Sequence, residues 1–239
     1  MPLPLESPGG CNLIKQSKGS TPPCLRPAYA VRLENGTPAG AERDNPVHAR
    51  ISRIHLRSGR PGRRGAVAVS RAILVLGLMG CGKTTVGAAL AERLGRSLWD
   101  GDSQLQELTG MTAAQLGAER GIDVLHGLEF EVLALGLARR PLPVVAAAAA
   151  VVLDPRLPGV IGEAWTVWLR VEVTHLAARL QYDDGHRPLL TGDLLATLRE
   201  MARIRDPLYA QVADLTLDAT RVAPAALVGR IVEAMPAGV

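Results

Sequence analysis

From residue 71 onward, short apolar runs alternate with longer stretches whose apolar residues recur at helical spacing. Residues 72–77 (AILVLG) form a brief run closed by glycine, the pattern of a strand buried on both faces. Residues 84–94 (TTVGAALAERL) place apolar side chains three and four apart and predict a helix. The same reading gives strands over 97–100, 144–152, 164–170 and 215–217. It gives helices over 103–109, 113–119, 124–138, 173–180, 193–209 and 224–235. Residues 182–193 are polar and hold glycine and proline, so they read as a loop. Strands that alternate with helices imply a parallel sheet covered on both faces.

Residues 1–70 break this pattern. They are rich in Pro, Gly, Ser and Arg and keep neither period for long. Such a segment buries too little apolar surface to order itself, so it is expected to be disordered or a non-native extension. An organellar transit peptide fits less well, because the segment is not convincingly amphipathic. A start near Val67 or Val69 is the preferred reading.

Charge divides along the same line. Residues 1–70 carry 11 Lys/Arg and 4 Asp/Glu, and the remainder carries 16 and 19, so the net charge of +4 comes from the leader. A body without a basic excess argues against nucleic-acid binding. Phe130 is the only phenylalanine, which leaves no stacking platform for bases. No apolar run reaches the roughly 20 residues of a membrane span. The three cysteines, Cys11, Cys24 and Cys81, form neither a disulfide framework nor a metal pattern. A cytoplasmic monomer acting on a small molecule is the expectation.

Residues 77–84 read Gly-Leu-Met-Gly-Cys-Gly-Lys-Thr, the G-x-x-x-x-G-K-[ST] pattern between a buried strand and a helix. Glycines at 77, 80 and 82 let backbone N–H groups turn inward around a phosphate, and the helix N-terminus adds partial positive charge. Lys83 can reach the outer phosphates, and Thr84 can offer a hydroxyl to magnesium. Lys83 is also the only lysine after residue 70, in a body that otherwise uses arginine. ATP with Mg²⁺ is therefore the expected nucleotide. Gly77, Gly80, Cys81, Gly82, Lys83, Thr84 and Thr85 are the expected cradle. The fold expected around it is a P-loop NTPase-type three-layer α/β/α domain over 71–239, with about five mainly parallel strands.

Trp99-Asp100-Gly101-Asp102 ends the second strand, and ligands of open α/β sheets lie beyond strand carboxyl ends. Two carboxylates there can divide labour: Asp100 toward magnesium and Asp102 toward the proton of an acceptor hydroxyl. The bland alternative makes Asp102 the cap of the following helix. The third apolar run has no acid before Asp154, so Asp100 is the better metal-side candidate.

These motifs, in this order, resemble the shikimate kinase family over essentially 71–235. GLMGCGKTTVG is similar to its phosphate loop, and WDGD to its DxD. HRPLL resembles its lid and implies that the catalytic Arg187 closes over the transferring phosphate. RDPLYAQVAD implies that Arg205 grips the acceptor. DATRVAP implies that Arg221 and Pro224 lie beside the adenine. Two places depart from the family pattern. His126 stands where an acceptor-gripping arginine is usual, with Glu129 still matching. Ala148, Ala149 and Ala150 stand where a triple glycine lets backbone approach the acceptor, and alanine at φ > 0 costs roughly 1 kcal/mol or more. The resemblance implies an ATP-dependent kinase with shikimate as the default acceptor. Another polyol or sugar acid, or a nucleotide-binding protein without transfer, stays open.

Overall fold

Ile73, Leu74, Val75 and Leu76 are fully buried, and these four residues are the central strand β1 (Ile73–Leu76). The computed structural model describes residues 71–162, 164–181 and 193–239. The leader 1–70, Arg187 and most of the expected lid lie outside them.

After β1 the chain runs through α1 (Lys83–Leu94), β2 (Leu98–Asp100), α2 (Gly101–Thr109), α3 (Ala113–Arg120), α4 (Ile122–Ala138) and β3 (Val144–Ala146). A 3₁₀ turn (Val151–Leu153) and the short α5 (Leu157–Ile161) lead to β4 (Trp165–Arg170) and α6 (Val173–Gln181). The described chain closes with α7 (Leu194–Val212), β5 (Leu215–Asp218) and α8 (Pro224–Ala234). The five strands are all parallel in the order β2-β3-β1-β4-β5. The expected α/β/α layering and strand count hold.

The strand order reverses at β1, since β3 lies on one side of it and β4 on the other. A crevice opens beyond the carboxyl end of β1 at this switch point. The loops after β1, β2 and β3 all project into that end.

Two boundaries differ from the sequence reading. The third apolar run, expected as one strand over 144–152, is a strand only to Ala146. Ala147 to Ala150 turn away and Val151–Leu153 coil into the 3₁₀ turn. Burial continues through the turn, so hydrophobicity alone did not mark the strand's end. Helix α5 was not expected, because its segment holds Pro158 and Gly159 and spans only five residues.

Trp99 seats α4 against β2. Its indole Nε1 donates to Val132 O at 3.0 Å, and its ring lies where a Cβ on Gly136 would go. Only glycine at 136 lets α4 approach β2 so closely. Gly101 is similarly tight, since a Cβ there would meet Ala146 O and Ala148 N at 3.2 Å. The glycine between the two aspartates therefore seats the start of α2 against the end of β3.

Candidate active site

The loop after β1 wraps an uncapped helix N-terminus. Gly82 takes φ 97° as the N-cap of α1, no side chain caps that end, and no acid sits in its first turn. Its N–H groups are left for an anion. Gly77, at φ 145°, passes so close to β4 that a Cβ would lie 2.5 Å from Leu169 O and 2.7 Å from Cys81 Sγ. Lys83 folds back on the loop, donating from Nζ to Gly77 O and Leu78 O at 3.1 Å each. The Cys81 thiol is free and buried against Gly77, out of easy reach of oxidants.

Across the crevice, the two aspartates have separate surroundings. Asp100 is the cap of α2: its Oδ1 accepts from Ser103 N at 3.0 Å and from Ser103 Oγ at 2.9 Å. Its Oδ2 accepts from Thr84 Oγ1 at 2.7 Å. The capping role considered for Asp102 thus belongs to Asp100. Asp102, in the first turn of α2, has no hydrogen bond or ion pair among the described residues and lines the cavity.

That cavity is about 820 Å³. Among the expected site residues it gathers Gly80, Gly82, Lys83, Thr84, Thr85, Asp100, Asp102, His126, Ala149, Ala150 and Arg205. Gly77, Cys81 and Ala148 lie behind its wall. Arg221 and Pro224 are not in its lining either. Arg221 sits to one side, where its Nε donates to His175 Nε2 at 3.0 Å.

The far wall is built by α4 and α7. His126 and Glu129 lie one turn apart on α4, and His126 Nε2 and Glu129 Oε2 are buried without hydrogen-bond partners. Leaving such an atom unpaired costs about 1–3 kcal/mol. Burial, then the Arg205 charge, lowers the pKa of His126, against a smaller pull upward from Asp123. Burial, then the neighbouring Asp102 carboxylate, raises Glu129 to about 7, against Arg205 and Lys83. Arg205 is only 6 % exposed and makes no hydrogen bond or ion pair among the described residues. A buried guanidinium without a partner asks for an anion.

The alanine turn is held from behind. Tyr209 Oη donates to Ala149 O at 2.7 Å, and its ring stacks on Trp168 with centroids 5.7 Å apart. Burial raises the Tyr209 pKa, so it stays a neutral donor. Ala150 takes φ −87°, so the expected left-handed strain is absent at that position. Its methyl and that of Ala149 simply occupy cavity wall.

Arg179 was not expected in the site. In the last turn of α6 it donates to Gly80 O at 3.3 Å, Ala219 O at 3.3 Å and Thr220 O at 3.1 Å. It thereby ties the phosphate loop to the loop after β5. Nothing in local spacing flagged it; its place just before the polar loop 182–193 was the available signal. Asp154, the first acid after the third apolar run, turns to Arg156 at 2.7 Å and stays outside the cavity.

A phosphate loop after a central parallel strand, with carboxylates and a buried arginine across one cavity, defines a P-loop phosphotransferase. The family model described as shikimate kinase matches residues 79–236. A shikimate kinase of Thermobifida fusca is 37 % identical over 169 residues, covering 70 % of this chain and 97 % of that protein. The solved structure of the Acinetobacter baumannii shikimate kinase in complex with shikimate aligns at a TM-score of 0.66 and 32 % identity, over 70 % of this chain and 93 % of that one. The Bacteroides thetaiotaomicron shikimate kinase structure aligns at 0.61 and 26 % identity, over 68 % and 97 %. The chain belongs to the shikimate kinase family and is a small-molecule kinase. No helix among the described residues is long and apolar enough to cross a membrane.

Proposed function

We propose that the protein transfers the γ-phosphoryl group of ATP to a hydroxyl of shikimate. The observation that carries this reading is one cavity holding the phosphate loop together with the Asp102 carboxylate and the Arg205 guanidinium, neither of them partnered among the described residues. Lys83, released from Gly77 O and Leu78 O, stabilises charge on the outer phosphates. Arg205 holds the acceptor's carboxylate. Asp102 takes the proton of the attacking hydroxyl as the new O–P bond forms and the bond to the ADP oxygen breaks. Arg187, by resemblance, covers the γ-phosphoryl group, and Arg221 and Pro224 flank the adenine.

The hard-oxygen pair Thr84 Oγ1 and Asp100 Oδ2, already 2.7 Å apart, suits a magnesium ion and would hold it. Bound there, Mg²⁺ supplies charge neutralisation on the phosphates. A cytoplasmic monomer taking part in aromatic amino-acid biosynthesis completes this reading.

The test is a coupled ADP-release assay on the full chain with shikimate, related ring acids, sugars and polyols, followed by mass detection of the phosphorylated product. Phosphorylated shikimate supports the proposal. A second reading, a kinase for another polyol or sugar acid, is favoured by His126 in the cavity wall and wins if only such a compound is phosphorylated. ADP release with none of them leaves a nucleotide-binding protein without transfer.

A further inference from the structure

Among the described residues, three buried side-chain atoms lack any hydrogen-bond partner, and two of them, His126 Nε2 and Glu129 Oε2, share one turn of α4 on the acceptor side of the cavity. Arg205 faces the same space from α7, buried and with no ion pair. The wall thus presents one permanent cation, one neutral imidazole and one protonatable carboxyl, with no hydrogen bond or ion pair among the described residues at Arg205, His126 Nε2 or Glu129 Oε2.

We propose that His126 is a specificity-determining residue that binds a proton together with the acceptor's carboxylate, so that acid acceptors bind with proton uptake and neutral ones without it. This deepens the kinase reading of the cavity and rests on it. In the free protein, Arg205 and burial keep His126 neutral. A carboxylate docking on Arg205 cancels that repulsion and sets an anion near Nε2. Both changes favour the imidazolium, which then supplies a second cation. The charged groups acting on His126 are Arg205 from α7 and Asp123 from its own helix. Glu129 is in turn faced by Asp102 from α2, Arg205 from α7 and Lys83 from α1, and it is the competing site for the proton. An arginine at position 126 would need no proton. The histidine makes affinity for an acid fall as pH rises, by at most about tenfold per pH unit for one coupled proton.

Calorimetry at neutral pH on the full chain, in buffers of different ionisation enthalpy, reads the proton directly. Shikimate should bind with net proton uptake, and the carboxamide of shikimate without it. His126→Asn should abolish the uptake, Glu129→Gln should retain it, and His126→Arg should bind shikimate more tightly with none. Unchanged ATP affinity in each variant certifies the fold. Shikimate bound and phosphorylated without proton uptake overturns this proposal and leaves the kinase reading standing. Failure of shikimate with proton-coupled binding of another hydroxy acid removes shikimate as acceptor and upholds the proposal. Uptake that survives in His126→Asn but vanishes in Glu129→Gln overturns it, as does the absence of proton-coupled binding for every acid tried.

Discussion

Thr84 Oγ1 donates to Asp100 Oδ2 at 2.7 Å, joining the first turn of α1 to the cap of α2. The two residues come from different strand ends, yet they hold each other at the pair proposed to bind Mg²⁺. Asp100 therefore has two duties that a substitution can separate. Asparagine caps helices as well as aspartate does, so Asp100→Asn should leave Tm near that of the unmodified protein. It should still raise the Mg²⁺ needed for half-maximal ADP release, by about tenfold for a loss near 1.4 kcal/mol. Asp100→Ala should show the same Mg²⁺ defect and also lose about 1 kcal/mol of stability. Equal Mg²⁺ dependence in all three proteins would remove Asp100 from the metal site.

Lys83→Ala removes the only lysine of the described body. Charged hydrogen bonds to phosphate contribute about 1.5–3 kcal/mol, so Mg-ATP affinity should fall roughly 10- to 100-fold. Binding measured with a fluorescent ATP analogue checks this, and unchanged affinity contradicts the assignment of the loop.

Arg179 makes a different prediction. Its three carbonyl contacts bind the phosphate loop to the loop after β5, on the nucleotide side of the cavity. Arg179→Met keeps the apolar stem and drops these bonds. The KM for ATP should rise about tenfold, a change near 1.4 kcal/mol, with the acceptor KM little altered. A rise confined to the acceptor KM would refute the strap.

Much of this was legible from the chain. The phosphate loop, the aspartate pair and the strand–helix alternation follow from spacing, because backbone cradles and buried parallel strands leave strong local patterns. What was not legible depends on partners distant in sequence. Arg179 earns its place through Gly80 and Thr220, 99 and 41 residues away. Which of Asp100 and Asp102 caps α2 is decided only once Ser103 stands beside Asp100. The end of β3 was hidden because Ala147, Ala148, Ala150, Val151 and Val152 stay buried after the strand has ended.

Glu129 gives a pH signature. Its pKa is raised to about 7 from an ordinary 4.5, chiefly by burial and then by Asp102. The folded protein therefore binds more protons than the unfolded chain between these values, and stability falls as pH rises through that window. The penalty is absent below the unfolded value and complete above about 7. Glu129→Gln removes it. That variant should gain a few degrees in Tm at pH 8, for about 1 kcal/mol or more, and gain nothing at pH 4. Thermal melts across this range decide the matter, and a gain that is the same at both ends would show that charge is not the cause.

The alanine turn sets the last prediction. Ala149 O accepts from Tyr209 Oη, and Ala150 sits at φ −87°. Alanine is thus not strained at Ala150, and what opposes tight shikimate binding is the space its methyl and that of Ala149 occupy. The unmodified protein should show a shikimate KM above the range of about 1 μM to 1 mM common among enzymes. Replacing residues 148–150 by glycine should lower that KM. It should also cost up to about 1 kcal/mol per glycine in stability, because the unfolded chain gains freedom. His126→Arg alone should help less, since added charge acts only partly on a ligand that the methyl groups crowd. The two changes together should exceed the product of their separate effects on kcat/KM, because room and charge serve the same bound acceptor. Tyr209→Phe tests the turn from behind: without the bond to Ala149 O, shikimate KM should change while ATP KM does not. A low shikimate KM in the unmodified protein would mean that the alanines and His126 already form an adequate pocket, and the glycine variants would then lose stability with no gain in affinity.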